Sequence, residues 1–322
     1  MHRPSTLRSL PNKVWHMSGT YEAEQHPGGT VACIGVFDGV HRGHQALIGR
    51  ARAEANRAGL PLVAVTFDPH PESVIRPGHA PRSLATVEHR IELLHAAGAD
   101  SVEVLAFDET MAAETPEEFV QSVLADRLRA RTVVVGENFL FGAHAAGNVA
   151  VLADLGRALG FEVIAMPLAS DDAPWSSSRI RALLASGQVG EANEMLGREY
   201  SIDGTVVHGD HRGRELGYPT ANLEAMGVPV VPADGVYAGW LRADGGRLPA
   251  AISVGTNPQF DGRDRRIETY VIDRADLDLY GCTVRVTFAD RIRGQEVFDT
   301  LDVFIAQMGL DVERARILLA EG

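Results

Sequence analysis

The strand-like run Val31-Ala32-Cys33-Ile34 passes through Gly35-Val36-Phe37-Asp38-Gly39-Val40 into His41-Arg42-Gly43-His44 and a helix-like run from Gln45 to Ala58. A strand that turns through glycines into a helix presents that helix's N-terminus at the strand's carboxyl end. The unpaired N–H groups and positive dipole there suit an anion. Two imidazoles three residues apart fall on one face of the first turn, and Gly43 between them lets a bulky group approach the backbone. A nucleoside triphosphate fits such a helix end.

The rest of the first half repeats this alternation. Val31–Phe37, Leu62–Phe67, Val102–Phe107, Thr132–Gly136 and Glu162–Met166 read as strands. Helices are expected over Gln45–Ala58 (stopped by Gly59 and Pro61), Thr86–Ala97, Glu117–Ala130 and Val149–Leu159. The alternation predicts a parallel sheet covered on both faces, with ligands at the strands' carboxyl ends. Beyond Gly197 the runs become short, β-rich and separated by glycines: Ile202–Val207, Val236–Arg242, Ala250–Val254, Ile267–Ile272 and Thr283–Phe288. That pattern predicts a closed antiparallel barrel. Helices over 297–308 and 312–319 follow.

A chain of 322 residues accommodates two cores. Its net charge of −13 argues against a general nucleic-acid binder. No apolar run approaches the roughly 18 residues of a membrane span. Residues 1–20 lack the apolar segment of a signal peptide. Cys33 and Cys282, the two cysteines, lie in different halves, which disfavours a disulfide or cysteine zinc site and fits a reducing cytoplasm.

The pair His41-Arg42-Gly43-His44 resembles the signature of the nucleotidylyltransferase superfamily. The wider string 35–45 resembles the adenylyltransferase module of the bifunctional riboflavin kinase/FAD synthetases. The resemblance implies that Gly35, Phe37, Asp38, Gly39 and Gly43 contact the nucleotide and that His41 and His44 bind its phosphates. A second segment, Gly136-Glu137-Asn138-Phe139-Leu140-Phe141-Gly142, reads alone as strand-end packing; in the family it lines the nucleotide and flavin pocket, with Asn138 as the polar contact. A third, Trp175-Ser176-Ser177-Ser178-Arg179-Ile180-Arg181, starts a helix. Its hydroxyls serve as plain caps or, with an arginine, as a phosphate clamp. The family pattern Ile-Ser-Ser-Thr-x-Ile-Arg is altered here at Trp175 and Ser178, while Ser177, Ser178 and Arg181 keep the polar chemistry.

In the second half, Arg212-Gly213-Arg214-Glu215-Leu216-Gly217-Tyr218-Pro219-Thr220-Ala221-Asn222-Leu223 reads by composition as a glycine-rich loop entering a strand. It resembles the riboflavin kinase signature. The resemblance implies that Thr220 and Asn222 reach Mg²⁺ and ATP phosphates, and that Gly213, Arg214, Gly217 and Pro219 belong to the binding loop. Segments 252–258 and 266–270 extend the likeness. Glu268, in an alternating strand, is by itself an ordinary solvent-facing carboxylate; in the kinase family a glutamate at this place takes the proton of the riboflavin 5′-hydroxyl.

The implied architecture is an α/β parallel-sheet nucleotidylyltransferase (Rossmann-like) domain over 1–197 and an antiparallel β-barrel domain with C-terminal helices over 198–322. The implied activity makes FMN and then FAD from riboflavin and ATP, with Mg²⁺. Riboflavin, FMN and ATP are the expected partners, without nucleic acid or membrane, and self-association is left open. Three other readings stand beside it: a single working module, a nucleotidylyltransferase for another substrate, and a flavin-binding regulator with dead sites. The kinase-like half argues against the second, and the intact His41, His44, Thr220, Asn222 and Glu268 against the third.

Overall fold

The computed structural model describes residues 27–167, 175–209, 216–243, 246–256, 265–274 and 276–320. These fall into two compact units, 27–177 and 178–320.

The first unit is built on β1 (Thr30–Ile34), α1 (Arg42–Ala58), β2 (Leu62–Asp68), α2 (Pro71–Ile75), α3 (Val87–Ala96), β3 (Ser101–Ala106), α4 (Glu109–Ala113), α5 (Pro116–Phe119), β4 (Ala130–Gly136), α6 (Val149–Leu159) and β5 (Glu162–Met166). The five strands are all parallel, in the order β3-β2-β1-β4-β5. Every residue of β1 is buried. Alternation along it feeds two cores. Val31 and Cys33 pack with Ile48, Ala51 and Leu94 of α1 and α3, while Ala32 and Ile34 pack with Phe119, Leu124 and Leu152 on the opposite face. Burial pushes the Cys33 thiol up to about 12, so it serves as packing.

The sheet order reverses at β1. Chain leaving β1 goes to β2 and β3 on one side, and β4 and β5 lie on the other. The crevice between the carboxyl ends of β1 and β4 is therefore the topological switch point. One expected helix is different: Glu117–Ala130 is a single turn, α5, continued by a π-helical stretch over Val120–Arg127. It starts on a capping box between Thr115 and Glu118 and is ended by Arg129 at φ 47°.

In the second unit, α7 (Ser177–Ala185) and α8 (Val189–Leu196) precede β6 (Tyr200–Val207), β7 (Thr220–Ala225), β8 (Gly235–Ala243), β9 (Gly246–Gly255), β10 (Arg266–Val271) and β11 (Thr283–Arg293). The six strands close an antiparallel barrel in the order β10-β7-β6-β11-β8-β9. Asn193 ties α8 to it, donating to Phe288 and Ala289 carbonyls and accepting from the Tyr200 N–H at 2.7 Å. The expected pair of C-terminal helices is one helix, α9 (Leu301–Ala320). It runs through Gly309, where an added Cβ would sit 3.4 Å from the Tyr218 hydroxyl. Ala315 and Leu319 pack on Ala238, Ala251 and Ile272, on the outside of the barrel.

Candidate active sites

In the first unit His41 caps α1. Its backbone is extended (φ −69°, ψ 172°), and its Nδ1 accepts the His44 N–H at 3.4 Å. The ring itself thus satisfies one orphan donor of the helix end. With Nδ1 as acceptor, a neutral His41 carries its proton on Nε2, which becomes the donor. The two imidazoles stack with centroids 3.7 Å apart, and Phe37 meets His44 edge-on at 5.2 Å. Burial, then the neighbouring His41 and Arg90, hold the His44 pKa well below its usual 6.5. Its Nδ1 is buried without a hydrogen-bond partner among the described residues. At Gly43 a Cβ would lie 3.1 Å from His41 Cε1 and 3.2 Å from Nδ1. The close approach this glycine allows is that of the His41 ring, where the sequence pointed to a ligand.

The loop before the cap is strained and braced. Phe37 and Val40 have φ of 51° and 40°, positions bulky and β-branched residues seldom occupy. The Val40 N–H donates to the Phe37 carbonyl, and Gln45 Nε2 to the Val40 carbonyl at 2.9 Å. Asp38, 2% exposed, accepts the Leu84 N–H through Oδ1 at 2.9 Å. Its buried carboxylate therefore shapes the loop.

The second motif follows the end of β4, and the third runs into the start of α7. Asn138 is exposed, beyond β4, with Oδ1 3.0 Å from where a Cβ on Gly136 would be. Phe139 stacks on Phe141, which is buried in the core. Ser177 Oγ donates to the Asp38 carbonyl at 2.8 Å, joining the third motif to the first. Trp175 also comes to this loop, its Cβ 3.7 Å from a Cβ built on Gly43. Ser178 is exposed in the first turn of α7, and Arg181 lies one turn beyond Ser177. Arg90 carried no signal in the sequence. It is 3% exposed and donates through Nη1 to Thr66 Oγ1 at 3.1 Å and the Phe67 carbonyl at 2.9 Å.

In the second unit strand register assembles the site. Glu268 of β10 pairs with Asn222 of β7 on one side and Ser253 of β9 on the other, and Tyr270 pairs with Thr220. Residues directly opposite, or two apart on one strand, share a face. Ile267, Thr269 and Val271 are buried on the other face, so Thr220, Asn222, Ser253, Glu268 and Tyr270 stand together. All five line a cavity walled also by Tyr218, Pro219, Leu279, Tyr280 and the α9 residues Phe304, Met308 and Asp311. Gly217 precedes this wall in a turn with φ 85°. Gly213, Arg214 and the segment 257–264 lie outside the described residues.

Helix α9 is fixed to the cavity by an ion pair the sequence did not announce. Arg293 makes a bidentate pair with Asp311, at 2.7 Å from Nη2 to Oδ2, and the two side chains are 15% and 6% exposed. Gln307 also donates to Asp311.

Asn222 Oδ1 is buried and accepts no hydrogen bond from any described residue. An added Cβ on Gly209 would overlap the same amide. An oxygen so placed, with the Thr220 hydroxyl two residues away on the same face, is a donor set that suits a hard cation such as Mg²⁺. Among the described residues no cluster of three or more histidine, cysteine or acidic side chains could hold a metal. No described helix is long and apolar enough to cross a membrane.

Two family models match successive parts of the chain. A family model described as FAD synthetase matches residues 23–179, and one described as riboflavin kinase matches 196–319. The bifunctional riboflavin kinase/FMN adenylyltransferase of Escherichia coli (strain K12) is 34% identical over 301 residues, 92% of this chain and 96% of that protein. Its counterpart in Bacillus subtilis (strain 168) is 32% identical, over 89% of this chain and 91% of that one. A crystal structure of a macrolide-efflux protein from Streptococcus pneumoniae superposes with a TM-score of 0.81 at 34% identity, covering 89% of this chain and 94% of that one.

Proposed function

The chain belongs to the family of the bifunctional riboflavin kinase/FMN adenylyltransferases, and we propose from that premise how its own side chains divide the two reactions. The enzyme phosphorylates riboflavin to FMN with ATP, and adenylylates FMN with ATP to give FAD and pyrophosphate. We assign the adenylyl transfer to residues 1–197 and the kinase to residues 198–322.

In the kinase, Glu268 is the general base. Its carboxylate takes the proton of the riboflavin 5′-hydroxyl as that oxygen attacks the γ-phosphorus of ATP and ADP leaves. The observation that carries this reading is the register that sets Glu268 directly across from Asn222, whose buried amide oxygen lacks a partner among the described residues. Thr220 and Asn222 would hold Mg²⁺, which when bound neutralises phosphate charge. Gly213, Arg214, Gly217 and Pro219 bind the ATP phosphates.

In the adenylyltransferase, an FMN phosphate oxygen attacks the α-phosphorus of ATP and the bond to pyrophosphate breaks. His41 donates through Nε2–H to the phosphate oxygens, because Nδ1 is held by the helix end. His44, kept neutral, serves as a second donor, and Arg181 offsets charge on the leaving group. Gly35, Phe37, Gly39 and Gly43 shape the nucleotide cradle, Asp38 braces it, and Asn138, Ser177 and Ser178 contact nucleotide or flavin. Positioning and electrostatics carry both steps without a covalent intermediate.

The test is chromatographic analysis of products from riboflavin, ATP and Mg²⁺. FMN followed by FAD is expected. Production of neither by folded, nucleotide-binding protein refutes the assignment.

A further inference from the structure

Thr66 and Arg90 belong to none of the motifs, yet their hydrogen bonds end on the loop that leads to the two histidines. Thr66 is the hydroxyl-bearing residue of β2 and is fully buried. Val63, Val65 and Phe67 of that strand pack into one core and Leu62 and Ala64 into the other, so alternation turns Thr66 toward the layer of α1 and α3. Arg90 of α3 meets it there, with Nη1 donating to Thr66 Oγ1 at 3.1 Å. The same nitrogen donates to the Phe67 carbonyl at 2.9 Å, which fixes the guanidinium independently of the threonine. A guanidinium only donates, so it takes a lone pair of the hydroxyl and leaves the single hydroxyl proton for another acceptor. That acceptor is the Val36 carbonyl, at 2.9 Å.

At Val36 the loop divides between the two cores. The Val36 side chain packs against one, and Phe37 is completely buried in the other. Phe37 takes this place at φ 51°, a conformation that persists only where the surroundings over-determine it. The two preceding residues are both held: the Gly35 N–H donates to the Val65 carbonyl at 3.1 Å, and the Val36 carbonyl accepts from Thr66. A Cβ on Gly35 would stand 3.1 Å from Phe37 Cε1, so the ring is seated against the glycine. From there its edge meets the His44 imidazole at 5.2 Å. A continuous series of contacts thus runs from Arg90 through Thr66, Val36 and Phe37 to His44.

We infer that Arg90 and Thr66 are positioning residues for adenylyl transfer. The guanidinium directs the Thr66 hydroxyl onto the Val36 carbonyl, and the loop so fixed holds Phe37 against His44 and keeps that imidazole aimed at the nucleotide phosphates. This rests on the reading of His44 as a phosphate donor. Both residues are buried and act through the loop.

The experiment measures kcat and KM for FAD formation from FMN and ATP in the full chain, with FMN formation from riboflavin as the internal control. The variants are Thr66→Val, Thr66→Ser, Arg90→Met, the double variant Thr66→Val/Arg90→Met, and His44→Ala. Thr66→Val keeps the side chain's shape and removes the hydroxyl. It should lower kcat for FAD about 10-fold, the scale of a small misplacement of a reacting group, with the KM for ATP changed less than about 2-fold. FMN formation should be unchanged, and Thr66→Ser should restore the FAD rate. Two residues acting through one relay are not additive, so the double variant should lose no more than the worse single one. Where Arg90→Met does not fold, the Thr66 pair alone decides. An unchanged kcat in Thr66→Val overturns the inference, as does a serine variant as slow as the valine one or a double variant whose loss is the product of the two. Loss of FAD formation in His44→Ala with a normal rate in Thr66→Val defeats the positioning role alone. Retained FAD formation in His44→Ala defeats the donor reading and this inference together.

Discussion

The two units place their chemistry by opposite means. In the parallel-sheet unit the candidate groups sit on loops and helix starts, and the loop carrying His41 is held by strained backbone and local braces: Phe37 and Val40 at positive φ, Asp38 on Leu84, Ser177 on Asp38. In the barrel unit they sit within paired strands, where register alone brings Thr220, Asn222, Ser253 and Glu268 together. A loop site is sensitive to single atoms nearby. A strand site is sensitive to whatever holds the sheet and its covering helix, here Arg293 and Asp311 at the end of β11.

The contrast can be broken at several points. The largest effect is expected from His41→Ala, which removes both a transition-state donor and the cap of α1; FAD formation from FMN should fall at least about 100-fold while FMN formation persists. Near-normal adenylylation would defeat the role given to the ring. Asp311→Ala leaves Arg293 a buried, uncompensated cation and should destabilise the barrel by roughly 3–5 kcal/mol, read by thermal or denaturant unfolding, with FMN formation lost before FAD formation from supplied FMN. Equal loss of both would erase the distinction between the units. Gly43→Ala sharpens the contrast, since its methyl presses on the His41 ring; a loss of about 10-fold in adenylylation without a change in kinase rate is the expected reading.

The smallest effect concerns pH. The folded pKa of His44 lies below its unfolded value, so the unfolded chain binds the proton first as pH falls. Its stability contribution is complete above about 6.5 and is lost below that, at no more than about 1.4 kcal/mol per pH unit from one proton. Unfolding midpoints measured between pH 7.5 and 5 should decline for wild type, and the decline should be shallower in His44→Gln.

Much of this was legible in the chain. Apolar runs alternating with helical periodicity gave the parallel sheet, and short glycine-separated strands gave the barrel, because both periods are local. His41, Gly43 and His44 announced themselves by sitting between a strand and a helix. What remained hidden depends on distant partners. That Glu268 faces Asn222 and Ser253 is a matter of register, which no single strand encodes. That α9 continues through Gly309 follows from Tyr218 passing beside it and from Arg293 holding Asp311. Arg90 and Leu84 act on the first site from elements with no motif of their own. Ser253 had one available clue: it is a polar residue at an outward position of a strand otherwise buried from Ala250 to Val254.

The most direct test is a crossed one. His41→Ala and Glu268→Gln are each assayed by chromatography with riboflavin plus ATP and with FMN plus ATP. The account predicts that His41→Ala makes FMN and stops, while Glu268→Gln makes FAD from FMN but loses about 10²–10⁴-fold in making FMN from riboflavin. If either substitution abolishes both products in a folded chain, or if neither separates them, the claim that two independent sites divide the chemistry is wrong.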